Sequence, residues 1–82
     1  MNQERLLLKG QLSSYQTEKR NLELQASGLI SMMRMALNPY EEDLSRIPAR
    51  EILAHAEQLQ AVIERLQNVT ERIHQLEDAL NG

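Results

Sequence analysis

The chain contains, at residues 52–80, the stretch ILAHAEQLQAVIERLQNVTERIHQLEDAL. Nine positions in it alternate at spacings of three and four residues, and eight of the nine carry branched aliphatic side chains. These nine positions are Ile52, His55, Leu59, Val62, Leu66, Val69, Ile73, Leu76 and Leu80. The heptad spacing predicts a helix with one continuous apolar seam, and a seam of this kind must pack against another helix.

A second seam with the same alternation runs through the first half of the chain. Its positions are Leu8, Leu12, Tyr15, Lys19, Leu22, Ala26, Leu29, Met33 and Ala36. Lys19 is the one charged residue among them, and it has two interpretations. Its aliphatic stem can pack while the ammonium reaches solvent, or the charge can act as a polar device that specifies helix pairing. The two seams together predict two helices that pack on each other.

The segment between the seams contains two prolines that predict where the helices end and begin. Pro39 removes a backbone donor and disfavours helical geometry at Asn38, so the first helix should end near Leu37. Pro48 suits the first turn of a helix, and Ser45 is a candidate N-cap for the second helix. A short helical turn is expected at 39–44. The predicted bounds are 3–37 for the first helix, 38–45 for the connection and 46–80 for the second helix.

Charge favours an antiparallel hairpin over two independent parallel zippers. Residues 1–37 carry five basic and three acidic side chains, a balance of +2, whereas residues 38–82 carry four basic and nine acidic ones, a balance of −5. Helices of opposite sign prefer each other to copies of themselves. Taking the connection as roughly residues 38–46 for the pairing register, we expect facing residues to have numbers summing to about 88, which brings Glu18 within reach of Arg72.

The size of the chain predicts self-association. A single hairpin of 82 residues has one narrow core, and small scaffolds usually need disulfides, metal or oligomerisation for stability. The chain has no cysteine and two histidines. We therefore expect an all-α, antiparallel two-helix coiled-coil hairpin that forms a homodimer, a four-helix bundle.

Apolar residues near the connection extend beyond the seams, which predicts a protein interface there. The candidate interface residues are Ile30, Met32, Met35, Leu37, Leu53, Ala56 and Ile63. The alternative is that the connection folds back and covers them with Tyr40, Leu44 and Ile47. Core filling alone explains Met33, which lies on the seam, whereas Met32 and Met35 flank it, and methionine is frequent on adaptable binding surfaces.

The sequence carries little sign of chemistry. His55 and His74 are 19 residues apart on one helix, about 28 Å along its axis, too far to share a metal ion. There is no glycine-rich phosphate loop and no cysteine nucleophile, so we expect no catalytic, metal or cofactor site. The absence of a long apolar run predicts no membrane span and no signal peptide, and we expect a cytoplasmic protein.

These patterns lead to two hypotheses about function. The first is a non-catalytic protein-protein interaction module, a small adaptor, co-chaperone or inhibitor, with itself and another protein as partners. The second is an RNA- or DNA-binding regulator. A dimer of antiparallel hairpins resembles the Rop-type bundles in architecture, and this resemblance implies binding of paired RNA on one face. The distribution of positive charge argues against nucleic-acid binding, because a polyanion requires clustered cations. The basic residues are scattered along about 45 Å of helix, at Arg5, Lys9, Arg20 and Arg34.

Overall fold

The computed structural model describes residues 2–82, which form two long helices and one short turn of 3₁₀ helix. Helix α1 runs over Asn2–Ala36, the 3₁₀ turn over Leu44–Arg46, and helix α2 over Ala49–Asn81. The two helices pack against each other along a rod measuring 65 × 16 × 15 Å. Residues 2–82 contain no β-strand. The predicted all-α antiparallel hairpin is confirmed.

The buried side chains lie where the heptad spacing predicts. All 18 seam positions are buried or half-buried. The most deeply buried residues, Ala26, Leu29, Val69, Ile73 and Leu76, are all seam residues. Lys19 is half-buried on the seam. Because side chains on the outer faces meet no second layer, the contact between α1 and α2 is the hydrophobic core of the molecule.

The core is closed most tightly along the part of α2 that lies toward the open end of the hairpin. Val69 and Leu76, toward the open end of α2, are 1% and 3% exposed. Nearer the connection, seam residues such as Met33, Ile52 and Leu59 are only half-buried. Leu8, Leu12 and Leu80 at the open end are half-buried as well, so one facing helix buries the seam fully along only part of its length.

The connection is held by local hydrogen bonds and not by the predicted turn at 39–44. Asn38 Oδ1 accepts from the backbone N–H of Tyr40 at 3.0 Å, and Asp43 Oδ1 accepts from the backbone N–H of Ser45 at 3.0 Å. Asp43 is thus the cap of the 3₁₀ turn. The helical turn therefore lies at Leu44–Arg46 and not at 39–44. Its start is fixed by Asp43, whose side chain accepts a hydrogen bond from a backbone N–H of the first turn.

Helix α2 begins three residues later than the predicted position 46, and Ser45 does not cap it. Ile47 precedes Pro48 and is extended, with φ −63° and ψ 126°, which is the geometry that a following proline favours. This extended residue separates the 3₁₀ turn from α2. Pro48 occupies the capping position, and its carbonyl oxygen accepts the first helical hydrogen bond, from Ile52 N–H at 3.0 Å.

Candidate protein-interaction surface

One ion pair and one hydrogen bond define how α1 and α2 face each other. Arg65 donates from Nε to Glu18 Oε2 at 2.7 Å and from Nη2 to Glu18 Oε1 at 2.9 Å. At the open end, Arg5 Nη1 donates to the carbonyl oxygen of Leu80 at 3.2 Å. The numbers of these facing residues sum to 83 and 85. Both values are lower than the predicted 88.

The predicted pairing of Glu18 with Arg72 is therefore wrong. Arg72 instead donates from Nη1 to Gln75 Oε1, on its own helix, at 3.1 Å. The predicted sum of 88 was too high for a connection of this length. Helix α1 ends at Ala36 and α2 begins at Ala49, so facing numbers at the connection sum to about 85, and Arg72 lies beyond Glu18 toward the open end. The residue opposite Glu18 is then Arg65, one heptad before Arg72.

The Glu18–Arg65 contact changes the ionisation of both groups. The two hydrogen bonds from Arg65, and then its positive charge, hold the pKa of the Glu18 carboxyl below its usual range. The same hydrogen bonds and the negative charge of Glu18 raise the pKa of the Arg65 guanidinium. The side chains remain 35% and 51% exposed, so the pair helps to orient the helices more than it stabilises them.

The residues predicted as an interface do not form one continuous surface. Ala56 is half-buried and the other six are exposed, Met35 the most at 79%. Their heptad positions divide them into three groups. Positions flanking the seam on one edge hold Ile30, Leu37, Ala56 and Ile63; the opposite edge holds Met32; and the outward faces hold Met35 and Leu53.

The connection does not cover this apolar region. Tyr40 is 86% exposed and Leu44 is 72% exposed, so neither side chain folds back onto the helices. Ile47 is half-buried. The alternative in which the linker covers the candidate residues is thus wrong for two of its three side chains.

An uncharged groove lies on the edge that contains Met32. It has a volume of about 500 Å³ and receives side chains from both helices. We call it the Gly28 groove, and its lining residues are Leu24, Gln25, Gly28, Leu29, Met32, Gln58, Ala61 and Val62. The seam residues Leu29 and Val62 form its floor, and Gly28 and Ala61 leave it wide.

Four of the lining residues, Leu24, Gln25, Gly28 and Gln58, were not predicted as parts of a binding surface, because that prediction rested on apolar residues close to the connection. One pattern in the sequence could have predicted this groove. The positions beside the seam on this edge are uncharged at Gln25, Met32 and Gln58. At the same edge, the next pair of flanking positions toward the open end is the charged Glu18 and Arg65. The Gly28 groove therefore ends where the ion pair begins.

Two other depressions are less suited to a protein contact. One lies on the opposite edge, has a volume of about 430 Å³, is formed by α2 alone and includes Glu71 and His74. The other lies at the open end, has a volume of about 440 Å³ and is formed by α1 alone around Gly10. Among these three depressions, the Gly28 groove is the one formed by both helices.

Side chains that bind metal do not cluster in the described part of the chain. No three of the described His, Cys, Asp or Glu side chains are grouped closely enough to hold a metal ion. His55 Nδ1 is buried on the seam without a hydrogen-bond partner. Neither helix within residues 2–82 combines the length and the apolar character needed to cross a membrane.

The chain matches no known protein-family model, no curated protein and no solved structure. A function can therefore rest only on the geometry and charge of the hairpin itself. The features that remain are a partly open core, exposed apolar residues and one uncharged groove.

Proposed function

We propose that this protein is a non-catalytic protein-binding module. It self-associates as a homodimer, a four-helix bundle, and presents its remaining apolar helical surface to a protein partner as a small adaptor, co-chaperone or inhibitor in the cytoplasm. The single observation that carries this proposal is the surface that one hairpin leaves exposed.

That surface is too large for a stable monomer of this mass. The hairpin exposes 6640 Å², whereas a folded monomer of 9.5 kDa exposes about 5,000 Å². The hairpin buries about half of the surface of its extended chain, and even a 60-residue domain buries about 60%. The surplus is about twice the area that each partner contributes to an interface of standard size, roughly 800 Å².

The apolar part of this surplus is concentrated in the half of the rod near the connection. Eleven large hydrophobic side chains are exposed, and nine of them lie within residues 24–63. Scattered apolar residues on a surface need no explanation, but a concentration at one end of a thin rod indicates an interface. Helical surfaces of this kind are typical of proteins that bind other helices.

Sedimentation equilibrium at micromolar concentration tests the self-association. We expect a mass of about twice 9.5 kDa, and a stable monomer would contradict the proposal. Chromatography on heparin tests the nucleic-acid alternative of Rop-like architecture. Retention that falls steeply with salt would favour that alternative, whereas elution at low salt supports a module that binds protein.

A further inference from the structure

We propose that the second copy of this chain docks on the Gly28 groove, with the two rods side by side and both connections at the same end. The two-fold axis of the dimer then runs parallel to the rods, and α1 of each copy lies against α2 of its partner. This inference rests on the proposed self-association. It adds which face is used and which way the second copy points.

The choice of face follows from the character of the two edges. The Gly28 groove contains no charged residue and is built from both helices, so a rod lying along it would contact α1 and α2 together. Its apolar contributors include Leu24 and Met32, which are 68% and 46% exposed and would lose water contact on docking. The depression on the opposite edge contains Glu71 and His74 and belongs to one helix only.

Gly28 itself points to close approach by another chain. It lies in the middle of α1, where glycine weakens a helix relative to alanine. A Cβ atom at this position would meet nothing within 4 Å, so packing inside the hairpin does not require a glycine. Gly10 has the same open space, but Gly28 shares its groove with a second small residue, Ala61 of α2, and small residues on both helices let a neighbouring helix come close.

Charge selects the orientation. Helix α1 carries five basic and three acidic residues, a net of +2, and α2 carries three arginines and six acidic residues, a net of −3. If the connections lie at the same end, each α1 faces an α2 of opposite sign. If they lie at opposite ends, α1 faces α1 and α2 faces α2, and both contacts are repulsive.

The distribution of apolar surface selects the same orientation. With both connections at one end, the uncharged Gly28 groove of each rod meets that of the other. With the connections at opposite ends, the Gly28 groove would instead meet the half of the partner that carries the ion pair Glu18–Arg65. Covering these charged side chains with apolar surface is unfavourable because they lose water.

Two matched pairs of variants test the face. Gly28→Lys places a long charged side chain in the Gly28 groove, and Gly10→Lys makes the same change in α1 outside it, where a Cβ atom also meets nothing within 4 Å. Ala61→Lys and Gln60→Lys form a second pair, on α2. Lysine is a better helix former than glycine, so both α1 variants should keep their helix content by circular dichroism.

We expect Gly28→Lys and Ala61→Lys to raise the dimer dissociation constant at least tenfold in sedimentation equilibrium. Gly10→Lys and Gln60→Lys should leave it within about twofold of the wild-type value. If the groove variants dimerise as well as their controls, the second copy docks elsewhere and this inference is wrong, while the proposed function stands. If the wild-type chain is itself monomeric, the proposed self-association fails first.

A distance measurement tests the orientation. The chain has no cysteine, so Glu42→Cys provides a single attachment site for a spin label in the exposed connection. With both connections at one end, the two labels of a dimer should be about 20–35 Å apart, given helix axes 8–10 Å apart and flexible label arms. A distance approaching the 65 Å length of the rod would overturn the proposed orientation.

Discussion

At the scale of single residues, Glu18 shows how the sequence permits more than one register. Arg65 and Arg72 are one heptad apart, and sliding one helix along the other by a heptad would again match apolar seam positions. Either arginine therefore satisfies the seam pattern as a partner for Glu18. The length of the connection makes the choice, because Ala36 and Ala49 at its two ends sum to 85, which is closer to the 83 of Glu18 and Arg65 than to the 90 of Glu18 and Arg72.

Charge reversal can measure which arginine is coupled to Glu18. We expect Glu18→Arg and Arg65→Glu each to lower the melting temperature, and the double reversal to recover most of the loss, because the two hydrogen bonds can form in the opposite sense. The same cycle with Arg72→Glu should show no recovery. A coupling to Arg72 as large as that to Arg65 would mean that the register described above is wrong.

The lowered pKa of Glu18 predicts a contribution to acid sensitivity. Because the folded pKa lies below the ordinary value of 4.5, the hydrogen bonds from Arg65 stabilise the fold fully above that value. This contribution is lost as the pH falls through the lower, folded pKa. Glu18→Gln should therefore reduce the loss of stability between pH 5 and more acidic conditions, measured by urea unfolding. The control Glu23→Gln, at an exposed position, should leave the acid dependence unchanged.

His55 is the seam residue whose replacement should stabilise the hairpin. Its Nδ1 atom is buried without a hydrogen-bond partner, and an unsatisfied buried polar atom costs about 1–3 kcal/mol. We expect His55→Leu to raise the free energy of unfolding by about 1 kcal/mol, since leucine extends the apolar seam. His74→Leu is the control, because His74 is exposed and should give no gain. A destabilised His55→Leu variant would show that the imidazole makes a contact of its own.

At the scale of helices, the spacing of apolar residues predicted the seams well and the ends less well. Every seam position is buried or half-buried, since a heptad repeat depends only on helix geometry. The start of α2 depends instead on the competition between Ser45, Asp43 and Pro48 over a few residues. The Gly28 groove was not predicted at all, because small residues beside a seam gain meaning only when the opposite helix is in place.

The tightly closed part of the core should dominate the stability of the hairpin. Ile73 is 6% exposed, and truncating it leaves a cavity between α1 and α2. We expect Ile73→Ala to lower the free energy of unfolding by about 2–4 kcal/mol in urea titrations. Leu7→Ala removes a leucine that is 63% exposed and should cost far less. Equal losses in the two variants would mean that Leu7 is covered in solution by a contact outside the hairpin.

At the scale of the whole molecule, the shape of the rod links folding to association. A hairpin only 16 Å wide cannot surround its own core, so half-buried seam residues near the connection gain further burial only from another molecule. Anything that binds the folded state and not the unfolded one stabilises it by mass action. A self-associating hairpin should therefore melt at a temperature that rises with protein concentration, whereas a monomeric hairpin should not.

Met32 and Ile30 offer a matched test of this link. Both are apolar residues of α1 that flank the seam, 46% and 42% exposed, but Met32 lines the Gly28 groove and Ile30 lies on the opposite edge. Glutamine has a helix propensity at least as good as that of either residue, so either substitution should leave the helix content of α1 nearly unchanged. What glutamine adds is a polar amide, which is costly to bury in an uncharged groove without a partner.

We expect Met32→Gln to weaken or abolish the rise of melting temperature with protein concentration, measured by circular dichroism from micromolar to hundreds of micromolar. Ile30→Gln, on the opposite edge, should keep the wild-type dependence. Ile73→Ala should lower every melting temperature and still show the rise, because it weakens the hairpin and leaves the groove intact. If Met32→Gln instead lowers every melting temperature and keeps the rise with concentration, as expected for Ile73→Ala, then Met32 belongs to the core of the hairpin. Its replacement would then weaken the folding of each chain and not the association of two chains.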